Sequence, residues 1–329
     1  MKRYFSLFVA AVLLAAPIVP DGQAQPALRA AVPSPTQTPN PSANAPLELT
    51  AACGHLDAPL CAAVLTRLTT RTTRTGIVLK QTTAADPAIA VCEGRIAAAI
   101  VPRDAIPPDC AAKADIVGRA LFPWYGVLVV QAGAPIRHLD DMAAAEVPRR
   151  LLAPANDPTL ANLIRAKPAW QTKIAIAEGD GDTALRRVIE NSADAMFTVS
   201  ALGGSVIARV LSLSTAVVFA NIHPGAELFR FSDGQGHCLY RNVALDFGGK
   251  SPITTVSVEA VLLLGRGFRD ARARGGPRAA DALAGAIEQS QAGLLSDTKS
   301  PADWRPGTGA CNDPPAKAAS DRVGSRNPL

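Results

Sequence analysis

The sequence predicts an α/β fold of two similar lobes, each with a mainly parallel sheet flanked by helices, and a cleft between them. Three observations predict it. Apolar strand patterns alternate with helical patterns along the chain, which favours parallel sheets with both faces covered. The segment 93–101 reappears as 190–198, each copy being a helix end, a polar turn and a short apolar strand. A secretory signal precedes both copies.

Residues 1–24 have the three parts of that signal. Lys2 and Arg3 form its positive start, Phe5–Val19 its apolar stretch, and Gly22-Gln23-Ala24 a small-x-small cleavage site. The alternative is an uncleaved membrane anchor, but the stretch is shorter than the roughly 20 residues that span a bilayer. We therefore expect a periplasmic or secreted protein.

Composition divides the rest of the chain. Residues 25–46 are rich in Pro, Ser, Thr, Asn and Ala and predict a disordered linker, and residues 299–329 predict a flexible tail of the same character. Between them we expect lobe one at 47–132, lobe two at 133–215, and a return to lobe one with a C-terminal helix at 216–298.

Each predicted element follows from its apolar spacing and its capping residues. The elements predicted for lobe one are strands at 47–52, 76–82 and 96–101, helices at 58–71 and 86–93, and a strand pair within 114–131. Lobe two has strands predicted at 150–153, 173–177 and 193–199, and helices at 139–142, from 156–159 onward, at 184–191 and at 206–213. A strand at 216–220, a long β-branched strand at 253–264 and a helix at 278–295 complete the prediction.

Ligands of such folds sit beyond the carboxyl ends of the strands. The candidate ligand-binding residues there are Gly54, His55, Arg103, Asp104, Trp124, Tyr125, Asn156 and Thr159. Each has a plainer alternative. Arg103 binds a carboxylate or pairs with Asp104 on a solvated turn, Trp124 and Tyr125 line a pocket or pack in the core, and His55 is a donor or a surface residue. Asn156 and Thr159 contact ligand or cap a helix.

Six cysteines in an exported chain predict disulfides. Fifteen pairings are open; we favour Cys53–Cys61, Cys92–Cys110 and Cys238–Cys311, two short loops and one long closure. Metal ligation is the rival interpretation, but no CxxC or HxxxH pair accompanies these residues. We expect no metal and no cofactor.

The sequence lacks the motifs by which several classes of enzyme and nucleic-acid-binding protein are recognised. Gly-x-Ser-x-Gly is absent, and the glycine that opens a phosphate loop would fall at Ala244. Without Lys2, Arg3 and Asp21 the balance is 31 basic to 27 acidic residues, with no basic run interleaved with aromatics. We therefore expect neither an enzyme nor a nucleic-acid partner.

Four segments carry a family resemblance: a strand with a Gly-containing loop at Thr50–Gly54, a small apolar strand ending in Asp at Ala97–Asp104, a short helix at Arg137–Met142, and a Tyr before a Thr-Val-x-Val strand within Cys238–Leu262. Their order, over 47–295, resembles the type II periplasmic solute-binding proteins and most of all the TAXI-type receptors of TRAP transporters. One departure is Ala153–Thr159, where such receptors carry a Gly-Ser-Gly-Thr-like loop.

The resemblance implies a monomeric receptor that closes on a small, anionic organic molecule, an organic acid or amino acid, for a membrane transporter or sensor. The departure keeps a second hypothesis open, a ligand-less relative that acts as an envelope interaction protein. Side chains that fill the cleft would favour this second hypothesis, and an open polar cleft the first.

Overall fold

The computed structural model describes residues 45–179, 181–247, 252–273 and 276–306. The predicted signal, almost all of the predicted linker, Cys311 and most of the predicted tail lie outside these residues. No helix within the described ranges is both long enough and apolar enough to cross a membrane.

Eleven strands and eight α-helices are found in the described part of the chain. The strands are β1 (Leu47–Cys53), β2 (Ile77–Gln81), β3 (Ala98–Pro102), β4 (Ala114–Val117), β5 (Pro123–Gln131), β6 (Arg149–Ala153), β7 (Ile174–Glu178), β8 (Ala195–Ser200), β9 (Val217–Ala220), β10 (Tyr240–Leu245) and β11 (Ile253–Gly265). The helices are α1 (Ala58–Thr72), α2 (Pro87–Cys92), α3 (Leu139–Ala144), α4 (Pro158–Ala166), α5 (Gly181–Ile189), α6 (Ser205–Ser212), α7 (Arg266–Arg269) and α8 (Ala279–Asp297).

One local device starts three of these helices. Asp57, Asp86 and Asp157 are the N-caps of α1, α2 and α4, and each carboxylate accepts a hydrogen bond from the backbone N–H three residues later. A proline stands in the first turn each time, where its missing N–H costs no hydrogen bond. An Asp with a Pro one or two residues later therefore marks the point at which each of these helices begins.

In lobe one, β1 lies between β2 and β3 and is parallel to both. The second half of β11 pairs antiparallel with β3 and β4. Helices α1 and α8 cover one face of this sheet together, and α2 packs on the other face in a separate apolar cluster.

In lobe two, β6 lies between β7 and β8 and is parallel to both, and β8 pairs antiparallel with β5. β9 pairs with the other edge of β5. The expected lobe one, 47–132, included β5, but β5 pairs along its length with β8, so we count β5 in lobe two from here on. Residues 216–220, expected to return the chain to lobe one, form β9 on this strand.

The two lobes share one continuous sheet rather than carrying separate ones. The middle of β11 pairs antiparallel with the start of β5, with Ser257 opposite Tyr125 and Val258 opposite Trp124. The 13 residues of β11 therefore run from the lobe boundary into lobe one. This makes the joint between the lobes a hydrogen-bonded ladder.

Two of the three favoured disulfides are present, and both belong to lobe one. Cys53 at the end of β1 bonds to Cys61 in α1, and Cys92 at the end of α2 bonds to Cys110. Cys238 is described, but its expected partner Cys311 lies outside the described residues.

Candidate ligand site between the lobes

The strand-end loops of the two lobes meet at Asp104. This residue follows β3, and its Oδ2 accepts a hydrogen bond of 2.6 Å from Thr159 Oγ1, in the first turn of α4. Tyr240 OH, from β10, donates to the same oxygen at 2.6 Å and accepts from Asn162 Nδ2 of α4. A carboxylate of lobe one is thus bonded to a helix start of lobe two.

A second carboxylate spans the same boundary. Asp57 caps α1 through Oδ1, which accepts from the Leu60 N–H at 3.0 Å. Its Oδ2 accepts from the Ser205 N–H at 2.8 Å, and Ser205 is the first residue of α6 in lobe two. One side chain therefore satisfies unpaired N–H groups at two helix starts in different lobes.

Arg103 does not form the solvated pair with Asp104 that one interpretation of the sequence expected. It is only 9% exposed, and its guanidinium donates to Glu259 Oε2 from Nε and Nη2, at 3.2 and 3.0 Å, and to Asp233 Oδ2 from Nη1, at 2.8 Å. It therefore does not pair with its neighbour Asp104. Two acids from distant segments already balance its charge.

The carboxyl groups of Asp104 and Asp157 have unusually high pKa values. Burial raises the pKa of Asp104 to about 6, against the opposing hydrogen bonds from Thr159 and Tyr240, and the charge of Asp157 adds to the rise. Burial likewise raises the pKa of Asp157 to about 6. Asp104 Oδ1 and Asp157 Oδ2 are buried without a hydrogen-bond partner.

The predicted aromatic residues pack rather than line an open pocket. Trp124 and Tyr125 are almost fully buried in β5. Trp124 lies edge-on to Phe122 and to His55, with ring centroids 5.5 and 6.3 Å apart. Its indole N–H is buried without a partner.

His55 and Gly54 occupy the loop after β1. His55 has a left-handed backbone, with φ of 56°, and burial lowers its pKa, which favours the neutral imidazole. Gly54 continues the strand pairing, since its N–H donates to the Ile100 carbonyl at 2.8 Å. His55 is therefore a partly buried neighbour of Trp124 and not an exposed surface histidine.

Asn156 and Thr159 differ in their surroundings. Asn156 is exposed, with φ of 56°, and Asp157 rather than Asn156 caps α4, through a 2.8 Å bond from the Leu160 N–H. Thr159 is 1% exposed and bonded to Asp104. The structure thus brings Asp104 and Thr159 together and leaves Asn156 outside this contact.

Beside these contacts lies a cavity of about 630 Å³ with walls from both lobes. That volume is typical of small-molecule sites. Lobe one contributes Arg103, Asp104 and seven of the residues between Ile106 and Ile116, and α4 of lobe two contributes Pro158, Ala161, Asn162 and Arg165. Residues 232–235 and Leu239 close one side. Within the described residues no group of three His, Cys, Asp or Glu is placed to hold a metal ion.

Sequence reasoning did not single out three contributors to the network, Asp57, Asp233 and Glu259. Of these, Glu259 had a visible signal, as the one acidic residue in a long apolar strand. Partners such as Asp233 come from a distant loop, 130 residues from Arg103. No local pattern points to them.

No family model matches the sequence, and no curated protein sequence is significantly similar to it. Solved structures are similar in fold. One assigned as an L-cystine ABC transporter of Listeria monocytogenes is 12% identical, with a TM-score of 0.50 over 77% of this chain and 94% of that one.

Two further structures give the same result. One assigned as an amino-acid ABC transporter extracellular-binding protein of Bacillus subtilis is 11% identical, covering 77% and 96% of the two chains, with a TM-score of 0.50. An ancestral arginine-binding protein bound to arginine is 13% identical, covering 76% and 96%, with the same score. Together with the two-lobed sheet, these similarities show that the chain has the type II periplasmic solute-binding fold.

Proposed function

We propose that this chain is an exported solute-binding receptor that holds a small molecule in the cavity between its lobes. The observation that carries the proposal is that this cavity has walls from both lobes. A molecule bound there contacts lobe one and lobe two at once. It therefore favours the closed arrangement over any open one, by its differential affinity for the two. No covalent chemistry is involved.

The receptor is exported and works with a partner in the membrane. Residues 1–24 act as the export signal, 25–46 as the linker, and the receptor works as a monomer in the periplasm or outside the cell. Its partner is a membrane transporter. The order of segments resembles TAXI-type receptors, whereas the similar structures are named for ABC transporters and arginine binding. The TRAP assignment therefore rests on the residues alone.

Thermal unfolding of the mature protein with its disulfides intact tests this function. The panel contains amines, carboxylates, amino acids, phosphate and sugars. A ligand at about a hundredfold its Kd adds roughly 2.7 kcal/mol, which for a body of this size raises Tm by about 5 to 10 °C. We expect a rise of that order with one chemical class.

Two variants test whether the rise in Tm comes from binding in the cavity. Ala161→Trp places a large ring on a lining residue of α4 and should abolish the shift. Ala208→Trp, on the exposed face of α6 outside the lining, should keep it. No shift with any compound, or equal loss in both variants, contradicts the proposal.

The second candidate is the ligand-less relative acting as an envelope interaction protein. The direct bonds of Asp57 to Ser205 and of Asp104 to Thr159 favour it, because they hold the two lobes together without a ligand. It predicts a Tm that no small molecule in the panel changes.

A further inference from the structure

The start of α6 in lobe two is bonded to two separate helices of lobe one. The carboxylate of Asp57, the cap of α1, accepts the Ser205 N–H at 2.8 Å. The carbonyl of Thr298, which directly follows α8, accepts the Gly203 N–H at 2.7 Å. The two donors lie two residues apart. One short stretch of lobe two is therefore held by the start of α1 and by the end of α8.

The path of the chain after α8 is set by a local turn. The Ser300 N–H donates to the Leu295 carbonyl at 2.8 Å, and the Lys299 N–H donates to the Ser296 carbonyl at 3.0 Å. Lys299 has the left-handed backbone, with φ of 53°, that this way of ending a helix requires. Because α8 packs on α1 and the sheet of lobe one, the turn directs the following residues from lobe one towards lobe two.

Residues 298–305, which we call the strap, follow this turn along the lobe boundary. The Ser300 hydroxyl is hydrogen-bonded to the hydroxyl of Tyr125, in β5 of lobe two. Trp304 packs against the main apolar cluster, and the Arg305 carbonyl accepts from Arg241 Nη1 of β10 at 3.4 Å. Thr298 and Ser300 are both buried. The strap is thus packed into the protein at its start and bonded at its end.

Only glycine fits opposite the strap at position 203. A Cβ atom there would lie 2.9 Å from the carbonyl oxygen of Asp297 and 3.2 Å from the carbonyl carbon of Thr298. Both are backbone atoms, so no side-chain rotation can relieve the contact. The close approach of the two lobes at this point therefore depends on the missing side chain of Gly203.

We propose that the strap holds the two lobes closed in the absence of a ligand, and that it must leave Gly203 before the lobes separate. Its bonds to Gly203 and Tyr125 join lobe one to lobe two, and neither involves a ligand. The strap then sets how often the cavity opens to solvent. This inference goes beyond the proposed function and applies to either candidate, because both have the same lobes.

X-ray scattering of the full mature protein without ligand tests the strap. Gly203→Ala places one methyl group against the backbone of Asp297 and Thr298 and should enlarge the radius of gyration. Gly267→Ala is the matched control, because Gly267 is exposed in α7 and a Cβ atom there meets nothing within 4 Å. It should leave the radius unchanged. An unchanged radius in Gly203→Ala, or an equal increase in both variants, overturns the proposal.

A second variant tests the strap even if Gly203→Ala does not fold. Ser300→Ala removes the bond to Tyr125, and hydrogen exchange of the Gly203 N–H should become about fivefold faster, the equilibrium value of one neutral hydrogen bond. Ser296→Ala makes the same change on the exposed face of α8 and should leave that exchange unchanged. Unchanged exchange in Ser300→Ala, or equal acceleration in both variants, overturns the proposal. Neither measurement uses a ligand, so the receptor function stands or fails separately.

Discussion

Lobe one and lobe two share a strand–helix plan but contribute opposite chemistry to their contact. Lobe one supplies the acceptors, the carboxylates of Asp57 and Asp104, and lobe two supplies the donors, the Ser205 N–H and the Thr159 hydroxyl. Both disulfides of the described residues also lie in lobe one. Lobe one is therefore the cross-linked lobe that carries the buried charges, and we call it the platform. Lobe two contacts the platform through the starts of its helices.

The largest effect should come from breaking the buried ion pairs of the platform. Arg103→Met leaves Glu259 and Asp233 without their cation, and removing one partner of a buried pair costs about 3 to 5 kcal/mol. Chemical denaturation measures the loss. Arg67→Met is the control, because its ion pair with Asp297 joins α1 to α8 with the arginine side chain 41% exposed. That pair should contribute about 0 to 1 kcal/mol, and equal losses would contradict the distinction.

The next effect concerns the cross-links. Replacing Cys92 and Cys110 together by Ala should cost about 2 to 4 kcal/mol, since the bond closes a loop of 18 residues in the unfolded chain. Hydrogen exchange measured strand by strand shows where the loss falls. Protection of β3 should decrease, while β6 and β7 serve as the internal control and stay unchanged. A uniform decrease over both lobes would show that lobe one is not a separate platform.

The smallest effect isolates the docking contact. Asp57→Ala removes the cap of α1 together with the bond to α6 and should cost about 1 to 2 kcal/mol. It should also enlarge the radius of gyration measured by X-ray scattering. Asp86→Ala removes a cap of the same kind, on α2, without a bond to lobe two. It should destabilise by about 1 kcal/mol and leave the radius unchanged; an equal expansion in both variants would contradict the role of Asp57.

Local chemistry made much of the fold predictable. The helix starts at Asp86 and Asp157 and the strands β1, β3 and β8 follow from caps, prolines and apolar runs that a short window contains. The resemblance to type II solute-binding proteins placed these parts in the right fold. β10 was not predicted, because its mixed polar pattern is paired only by the distant β11.

The site was less predictable for the same reason. Sequence reasoning placed Arg103 and Asp104 at a strand end. The Arg103 side chain is held there by hydrogen bonds to Glu259, 156 residues away. The Asp104 side chain is held by hydrogen bonds from Thr159 and Tyr240. Such pairs depend on which loops the sheet order brings together. Burial of Trp124 and Tyr125 followed likewise from the pairing of β5 with β11.

The position of β11 in the chain also bears on how the protein is made. All strands of lobe two lie within residues 123–220, whereas the sheet of lobe one needs β11, which begins at residue 253. A chain that emerges N-terminus first can therefore complete lobe two while lobe one still waits for its last strand. Until then the edge of β3 stays unpaired and open to wrong partners. The two disulfides join cysteines only 8 and 18 residues apart, so oxidation can fix the early part of lobe one during that delay.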